Sequence, residues 1–262
     1  MFPYIEIFGR DIGLYAIMTL CGVFTAGIYS CVLANRRKHD YADMIIFILL
    51  SFVGVVIGSH LLYALVNFKN VILVFNNVDK IETPEKFFNA LNLTIGGSVF
   101  YGGLIGLITV CYALTKKDKN KIVFLDIVAV NIPLFHFFGR IGCFLGGCCY
   151  GIPAKIGFTY TNNPIAEANG VRRFPVQLLE ASFNLILFLL LNHLLDKGKF
   201  RNKLMYMYLT VYATGRFFIE FLRGDTYRGM WLFLSTSQII SILIVFIVIV
   251  ILIRQNKLYG IL

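Results

Sequence analysis

Residues 122–151 read IVFLDIVAVNIPLFHFFGRIGCFLGGCCYG. The apolar run over 122–146 is long enough to cross a hydrocarbon core, which takes about 20 residues at the helical rise. Its far end is glycine-rich and carries an arginine and three thiols: Gly139, Arg140, Gly142, Cys143, Gly146, Gly147, Cys148, Cys149 and Gly151. Glycine has no Cβ, so backbone or ligand can approach closely there. A guanidinium at membrane depth is costly and normally has a partner or a function. A lipid phosphate would suit it.

Six further apolar runs of similar length occur, roughly at 12–34, 41–66, 96–115, 174–195, 202–222 and 232–253. With 58% hydrophobic and 15% charged residues, the chain is far from a soluble composition, in which about a quarter of residues are charged. None of the runs alternates apolar and polar residues with period two, which excludes a β-barrel. The expected fold is an all-α polytopic membrane protein of about seven transmembrane helices. The start carries Glu6 and Asp11 with no cationic stretch ahead of the first run, so the expectation is an uncleaved first span rather than a signal peptide.

Charge placement orients the spans. Arg36, Arg37, Lys38, Lys116, Lys117, Lys119, Lys121, Lys197, Lys199, Arg201, Lys203, Arg254 and Lys257 follow the odd-numbered spans, whereas the opposite side holds Arg10, Lys69, Lys80, Lys86, Lys155, Arg172, Arg173, Arg223 and Arg228. The positive-inside rule then puts the N-terminus outside and the C-terminus in the cytoplasm. The net charge of +10 is explained by basic loops beside anionic lipid, with no nucleic-acid partner. No repeat or linker divides the chain, so 1–262 reads as a single transmembrane domain. Two long external loops stand out: 66–95, with Asp79, Glu82, Pro84 and Glu85, and 146–173, with Pro153, Asn162, Asn163 and Pro164. Thr83 followed by Pro84 and Glu85 predicts a short helix over 84–93.

The ionisable residues within spans are few: His60, Asp126, His136, Arg140, Glu180, Arg216 and Glu220. The topology places most of them toward the outer leaflet, which predicts a polar cavity opening there. Arg216, Glu220 and Arg223 are spaced i, i+4, i+7 and are expected on one helical face. Three guanidiniums against Glu180 and Glu220 suit an anionic headgroup, because the planar fork matches phosphate oxygens. Tyr101-Gly102-Gly103-Leu104-Ile105-Gly106 has two readings, close helix packing through a GxxxG pattern or a site-lining segment. Cys21, Cys31 and Cys111 read as small apolar fillers. Cys143, Cys148 and Cys149 leave three options open: a metal site shared with His136, a redox pair, or uncharged cavity-lining thiols. Their CxxxxCC spacing is not one of the usual zinc patterns.

Taken together, these motifs resemble the bacterial prolipoprotein diacylglyceryl transferases over nearly the whole chain. The family's GRxGNFxNGExxG signature is matched at Gly139, Arg140, Gly142, Phe144, Gly147 and Gly151. Its HGGLIG motif is similar to Tyr101–Gly106, PSQLYEA to Pro175–Ala181, and YGxxRFxxEFxR to Tyr212–Arg223, and its early tyrosine falls on Tyr15. The resemblance implies a seven-helix enzyme of the bacterial cytoplasmic (inner) membrane. Such an enzyme moves the diacylglyceryl group of phosphatidylglycerol onto the lipobox cysteine of a prolipoprotein signal peptide and releases glycerol phosphate, with no cofactor and no metal.

It further implies catalytic roles for Arg140, Arg216, Tyr101 and Glu220, and substrate binding by Arg223, Tyr15, Gly102, Gly103, Gly139, Gly142, Gln177, Glu180 and His60. The departures lie at the acceptor end. Tyr101 stands where the family has a histidine proposed to take the thiol proton, and a phenol with a reference pKa near 10 is a poorer base. Cys143 and Gly146 replace two asparagines, Cys148 replaces a glutamate, and His60 aligns with an arginine. The alternatives are a paralogue that uses the same lipid donor with a glycan or small-molecule acceptor, and a non-enzymatic membrane protein that binds an anion or metal.

Overall fold

All seven apolar runs form helices in the computed structural model, which describes residues 3–7, 9–78, 83–97, 99–161, 163, 165–225, 230–231 and 233–258. Asp79, Lys80, Glu82, Asn162, Pro164 and Arg228 lie outside the described residues, as does the side chain of Tyr101. The runs become α1 (Leu14–Arg36), α2 (Tyr41–Val66), α5 (Phe100–Lys117), α6 (Ile122–Gly146), α7 (Val176–Asp196), α8 (Leu204–Ile219) and α9 (Thr236–Leu258). Five of these, α1, α2, α6, α7 and α9, are long and apolar enough to cross a membrane. The other two are shorter, at 18 residues for α5 and 16 for α8. The chain is therefore a mostly helical polytopic membrane protein.

Between α2 and α5 lie α3 (Phe68–Asn76) and α4 (Pro84–Ile95). The α4 start follows its signals: Thr83 is the N-cap, its hydroxyl accepting from the Lys86 N–H at 3.4 Å, and Pro84 takes the first helical position, where its missing N–H costs nothing. The described strands form three short antiparallel pairs. They are β1 (Tyr4–Ile7) with β2 (Arg10–Gly13), β3 (Pro153–Thr159) with β4 (Arg172–Arg173), and β5 (Met230–Trp231) with β6 (Leu234–Ser235). The 146–173 loop thus contributes a hairpin.

The chain divides into two compact units, one formed by residues 1–33 and 125–262, the other by residues 34–124. In the second unit, α2 packs along α5 through facing glycines. A Cβ on Gly58 would collide with the Gly102 carbonyl, and one on Gly106 with the Gly54 carbonyl. Such backbone approach is what small-xxx-small patterns permit. The GxxxG of α5 is therefore used in helix packing.

In the first unit, α7 buries one stripe: Val176, Gln177, Glu180, Ala181, Asn184, Leu187, Leu191 and Leu195. The three- and four-residue steps of that stripe follow the helical period. Its first two turns carry polar side chains among the apolar ones, so the packing of α7 also fixes Gln177 and Glu180. At the other end of the unit, buried Asp126 of α6 accepts the backbone N–H groups of Asn202 at 2.6 Å and Leu204 at 3.1 Å. The Leu204 N–H is one of the donors that the first turn of α8 leaves unpaired. Glycines also set the approach of α1 to α6, where a Cβ at Gly142 would lie 3.1 Å from the Met18 Cβ and 3.3 Å from Tyr15.

Candidate active site

Three helices of the first unit converge on the Glu180 carboxylate, which is only 2% exposed. Arg140 of α6 donates from Nη2 to Glu180 Oε1 at 3.0 Å, and Arg216 of α8 places Nε 3.9 Å from the same oxygen. The Tyr212 hydroxyl lies 3.5 Å from it. Arg216 also pairs through Nη2 with Glu220 Oε2 at 2.7 Å. One carboxylate thus orients two guanidiniums, and the second carboxylate fixes Arg216 from the other side. The Nη1 of Arg216 is buried and has no hydrogen-bond partner. An unmade hydrogen bond from a buried charged donor carries a desolvation cost of at least about 1–3 kcal/mol. A ligand oxygen would satisfy it.

Arg223 departs from the expected single face. Helix α8 ends at Ile219 and tightens into a 3-10 turn over Glu220–Leu222, after which Arg223 is extended. The changed twist takes it out of the i, i+4, i+7 register. It instead grips Asp225 in a bidentate pair, Nε to Oδ1 at 3.0 Å and Nη2 to Oδ2 at 2.7 Å, and its backbone bridges Gly151. Sequence reasoning missed Asp225, because an i, i+2 pair on extended chain leaves no helical signal. With Asp225 included, Arg140, Arg216 and Arg223 face Glu180, Glu220 and Asp225, so the cluster is balanced rather than net positive.

The glycine-rich segment turns back on itself just beyond α6. Gly147 has φ 70° and Cys149 φ 54°, left-handed values that are uncommon for a non-glycine residue. The Cys148 N–H donates to the Cys143 carbonyl at 3.1 Å. From α7, Gln177 Nε2 donates to the Cys148 carbonyl at 2.8 Å and lies 3.0 Å from the Tyr160 hydroxyl. Its buried Oε1 has no partner. The Sγ atoms of Cys143, Cys148 and Cys149 all lie within 4.8 Å of one another. The Cys149 thiol is held well below its ordinary range by hydrogen bonds from Cys143 and Cys148, with the guanidiniums of Arg223 and Arg140 adding to the effect. Hydrogen bonds to Cys143 and Cys149 push Cys148 up in compensation, and burial pushes Tyr160 up to about 12.

The remaining expected residues take varied positions. Gly142 lies against Tyr15, whose side chain is 49% exposed, and a Cβ on Gly139 would meet open space. His136 packs its ring on Tyr212 at 5.2 Å between centroids and does not join the thiol cluster. In the other unit, His60 Nδ1 is 3.1 Å from the Ile95 carbonyl. There Tyr101 occupies the first turn of α5, while Gly102 meets Gly58, and Gly103 meets Val55 and Ser59.

Comparison with known proteins matches residues 3–254 to the family model described as prolipoprotein diacylglyceryl transferase. A phosphatidylglycerol–prolipoprotein diacylglyceryl transferase of Clostridium tetani is 34% identical over 245 residues, covering 92% of this chain and 92% of that protein. A Clostridium perfringens protein of the same name, numbered 2, is 34% identical over 97% of this chain and 95% of its own length. A Campylobacter hominis transferase is 30% identical over 90% of this chain and 84% of its own length. By sequence over nearly its full length, the chain belongs to the prolipoprotein diacylglyceryl transferase family.

Proposed function

We propose that the chain transfers the diacylglyceryl group of phosphatidylglycerol to the lipobox cysteine of prolipoproteins and releases glycerol phosphate. The reaction takes place at the outer leaflet of a bacterial cytoplasmic membrane. The protein is one membrane domain of seven spans, N-terminus outside and C-terminus inside, with external loops 66–95 and 146–173. The observation that carries the reading is the unpartnered Nη1 of Arg216, buried on a guanidinium that shares Glu180 with Arg140.

In the reaction the acceptor sulfur forms a bond to the glyceryl carbon while the bond from that carbon to the phosphate oxygen breaks. Negative charge gathers on the departing phosphate. Preplaced cations in a low-dielectric site stabilise that charge most where it develops. Arg140 and Arg216 hold the phosphate, Glu180 and Glu220 orient their guanidiniums, and Arg223, fixed by Asp225, assists from the loop that follows α8. Gln177 holds the glycine-rich turn against α7, and Tyr15 and the glycines Gly139 and Gly142 shape the approach to it. By family resemblance, Tyr101 takes a catalytic role and His60, Gly102 and Gly103 bind substrate.

The test uses purified protein in mixed micelles with phosphatidylglycerol and a lipobox peptide. Glycerol phosphate should appear together with a thioether-linked diacylglyceryl peptide, and a serine-for-cysteine peptide should give neither. Release with a glycan acceptor but not with the peptide would overturn the assignment.

A further inference from the structure

The three thiols beyond Arg140 come together in a way their spacing does not announce. Cys143 sits in the last turn of α6, and the left-handed residues Gly147 and Cys149 fold the following segment back toward it. The three Sγ atoms then lie within 4.8 Å of one another. A zinc ion bound to thiolate has Zn–S near 2.3 Å, which puts neighbouring sulfurs of a tetrahedral site about 3.8 Å apart. Closing the remaining gap of about 1 Å is within reach of ordinary side-chain rotation. Cys143 is buried and the other two thiols are half-buried, so the cluster is not sealed from an incoming group. Among the described residues, no histidine, aspartate or glutamate joins the three as a fourth ligand. Three protein ligands with a fourth position open distinguish a working zinc site from a structural one.

The neighbours fit such an ion. Three thiolates and one Zn²⁺ carry a net charge of −1, and Arg140 precedes Cys143 by three residues, about one helical turn, on α6. Arg140 also belongs to the phosphate clamp. An ion among the thiols therefore stands beside the place where the donor phosphate is held, on the same stretch of chain.

We propose that Cys143, Cys148 and Cys149 bind one zinc ion whose open fourth position takes the acceptor thiol and presents it as a thiolate. The proposal rests on the reading of the acceptor as a cysteine thiol. A thiol that coordinates zinc loses its proton outright. That supplies the deprotonation for which Tyr101, a phenol, is poorly suited. In the balanced step the acceptor S–H proton passes to solvent as sulfur replaces water on the metal. The sulfur lone pair then forms the S–C bond, the C–O bond to phosphate breaks with its electron pair going to the departing phosphate, and the neutral thioether leaves the zinc. No oxidant or reductant takes part.

The test has three readouts on the full-length chain in detergent. Metal content should be one zinc per chain, lost in Cys143→Ser and Cys148→Ser but kept in Cys21→Ser. In the cobalt-substituted protein, adding lipobox peptide should raise the sulfur-to-cobalt charge-transfer absorption by about a third, as three thiolates become four, while the serine peptide leaves it unchanged. Removing zinc from the wild-type chain should slow glycerol phosphate release about a hundredfold or more, at the low end of what loss of an acid–base group costs, and added zinc should restore it. The chelation readout needs no variant to fold. Full transfer by zinc-free protein would overturn the zinc site and leave the transferase reading standing. A cobalt spectrum blind to the peptide would overturn the acceptor role. A thiol-sensitive cobalt spectrum without glycerol phosphate release would support the metal site and overturn the donor assignment instead.

Discussion

Glu180→Gln separates the orientation of the arginine clamp from its charge. The substitution keeps volume and shape, so packing in the α7 stripe is preserved and the change is electrostatic. In the wild type, Glu180 Oε1 serves Arg140 at 3.0 Å and Arg216 at 3.9 Å. Each unit-charge pair at about 4 Å contributes roughly 4 kcal/mol of gross attraction at an effective dielectric of about 20. Most of that offsets desolvation, and removing one partner of a buried pair costs about 3–5 kcal/mol net because the other charge is stranded. Arg216 keeps Glu220 at 2.7 Å, so the stranded group is Arg140, whose side chain is 20% exposed. Water reaches it in part, which points to the lower end, about 3 kcal/mol. At roughly 2–4 °C per kcal/mol for a chain of this size, the midpoint of thermal unfolding in detergent should fall by about 6–12 °C. Activity should lose about a hundredfold in kcat as the guanidiniums leave their reactive geometry. KM for phosphatidylglycerol should not rise, since an anion has been removed from beside the phosphate. A variant with a wild-type midpoint and kcat would refute the clamp. A raised KM with kcat intact would mean that Glu180 touches the lipid itself.

Four other outcomes follow from the same geometry. Arg140→Ala and Arg216→Ala should each lower glycerol phosphate release by at least about 10²–10³-fold, the usual loss on deleting a donor aimed at developing charge, and Arg216→Lys should rescue little because an ammonium lacks the planar fork. Asp225→Asn should reduce kcat/KM by roughly tenfold, the order expected when one charge-assisted pair is weakened, with Arg223→Ala giving no further loss on top of it. Gly106→Leu should abolish the folded, monodisperse species on size exclusion, because its side chain meets the Gly54 backbone. Iodoacetamide labelling of metal-free protein at about pH 7, mapped by mass spectrometry, should modify Cys149 faster than Cys148, since a thiol with a lowered pKa presents more of the reactive thiolate than one whose pKa is raised.

The helices were legible because a membrane demands long apolar runs and the chain supplies them with few interruptions. The same demand makes an ionisable residue inside a run conspicuous, and so Arg140, Glu180, Arg216 and Glu220 could be picked out before any geometry was known. What could not be read sits where helices stop. Periodicity places Arg223 on the face of α8, yet the backbone tightens at Glu220 and carries it to Asp225. The thiols looked dispersed because four residues separate Cys143 from Cys148, and left-handed turns, which no spacing rule encodes, close that gap. Gly102 was open to two readings, and the structure spends its missing Cβ on the contact with α2.

The unread residue Asp225 changes the physics of the site. Three guanidiniums against two carboxylates would hold the lipid's single negative charge strongly at rest. With Asp225 on Arg223 the cluster is neutral, and a neutral cluster of oriented ion pairs gains less from the phosphodiester than from the more highly charged monoester that forms as the C–O bond breaks. Stabilisation that grows along the reaction coordinate raises kcat, whereas uniform stabilisation only tightens binding of the substrate. On the proposed phosphate clamp, the carboxylates contribute to transfer by weakening the hold on the starting lipid, and their removal should tighten lipid binding while slowing the reaction.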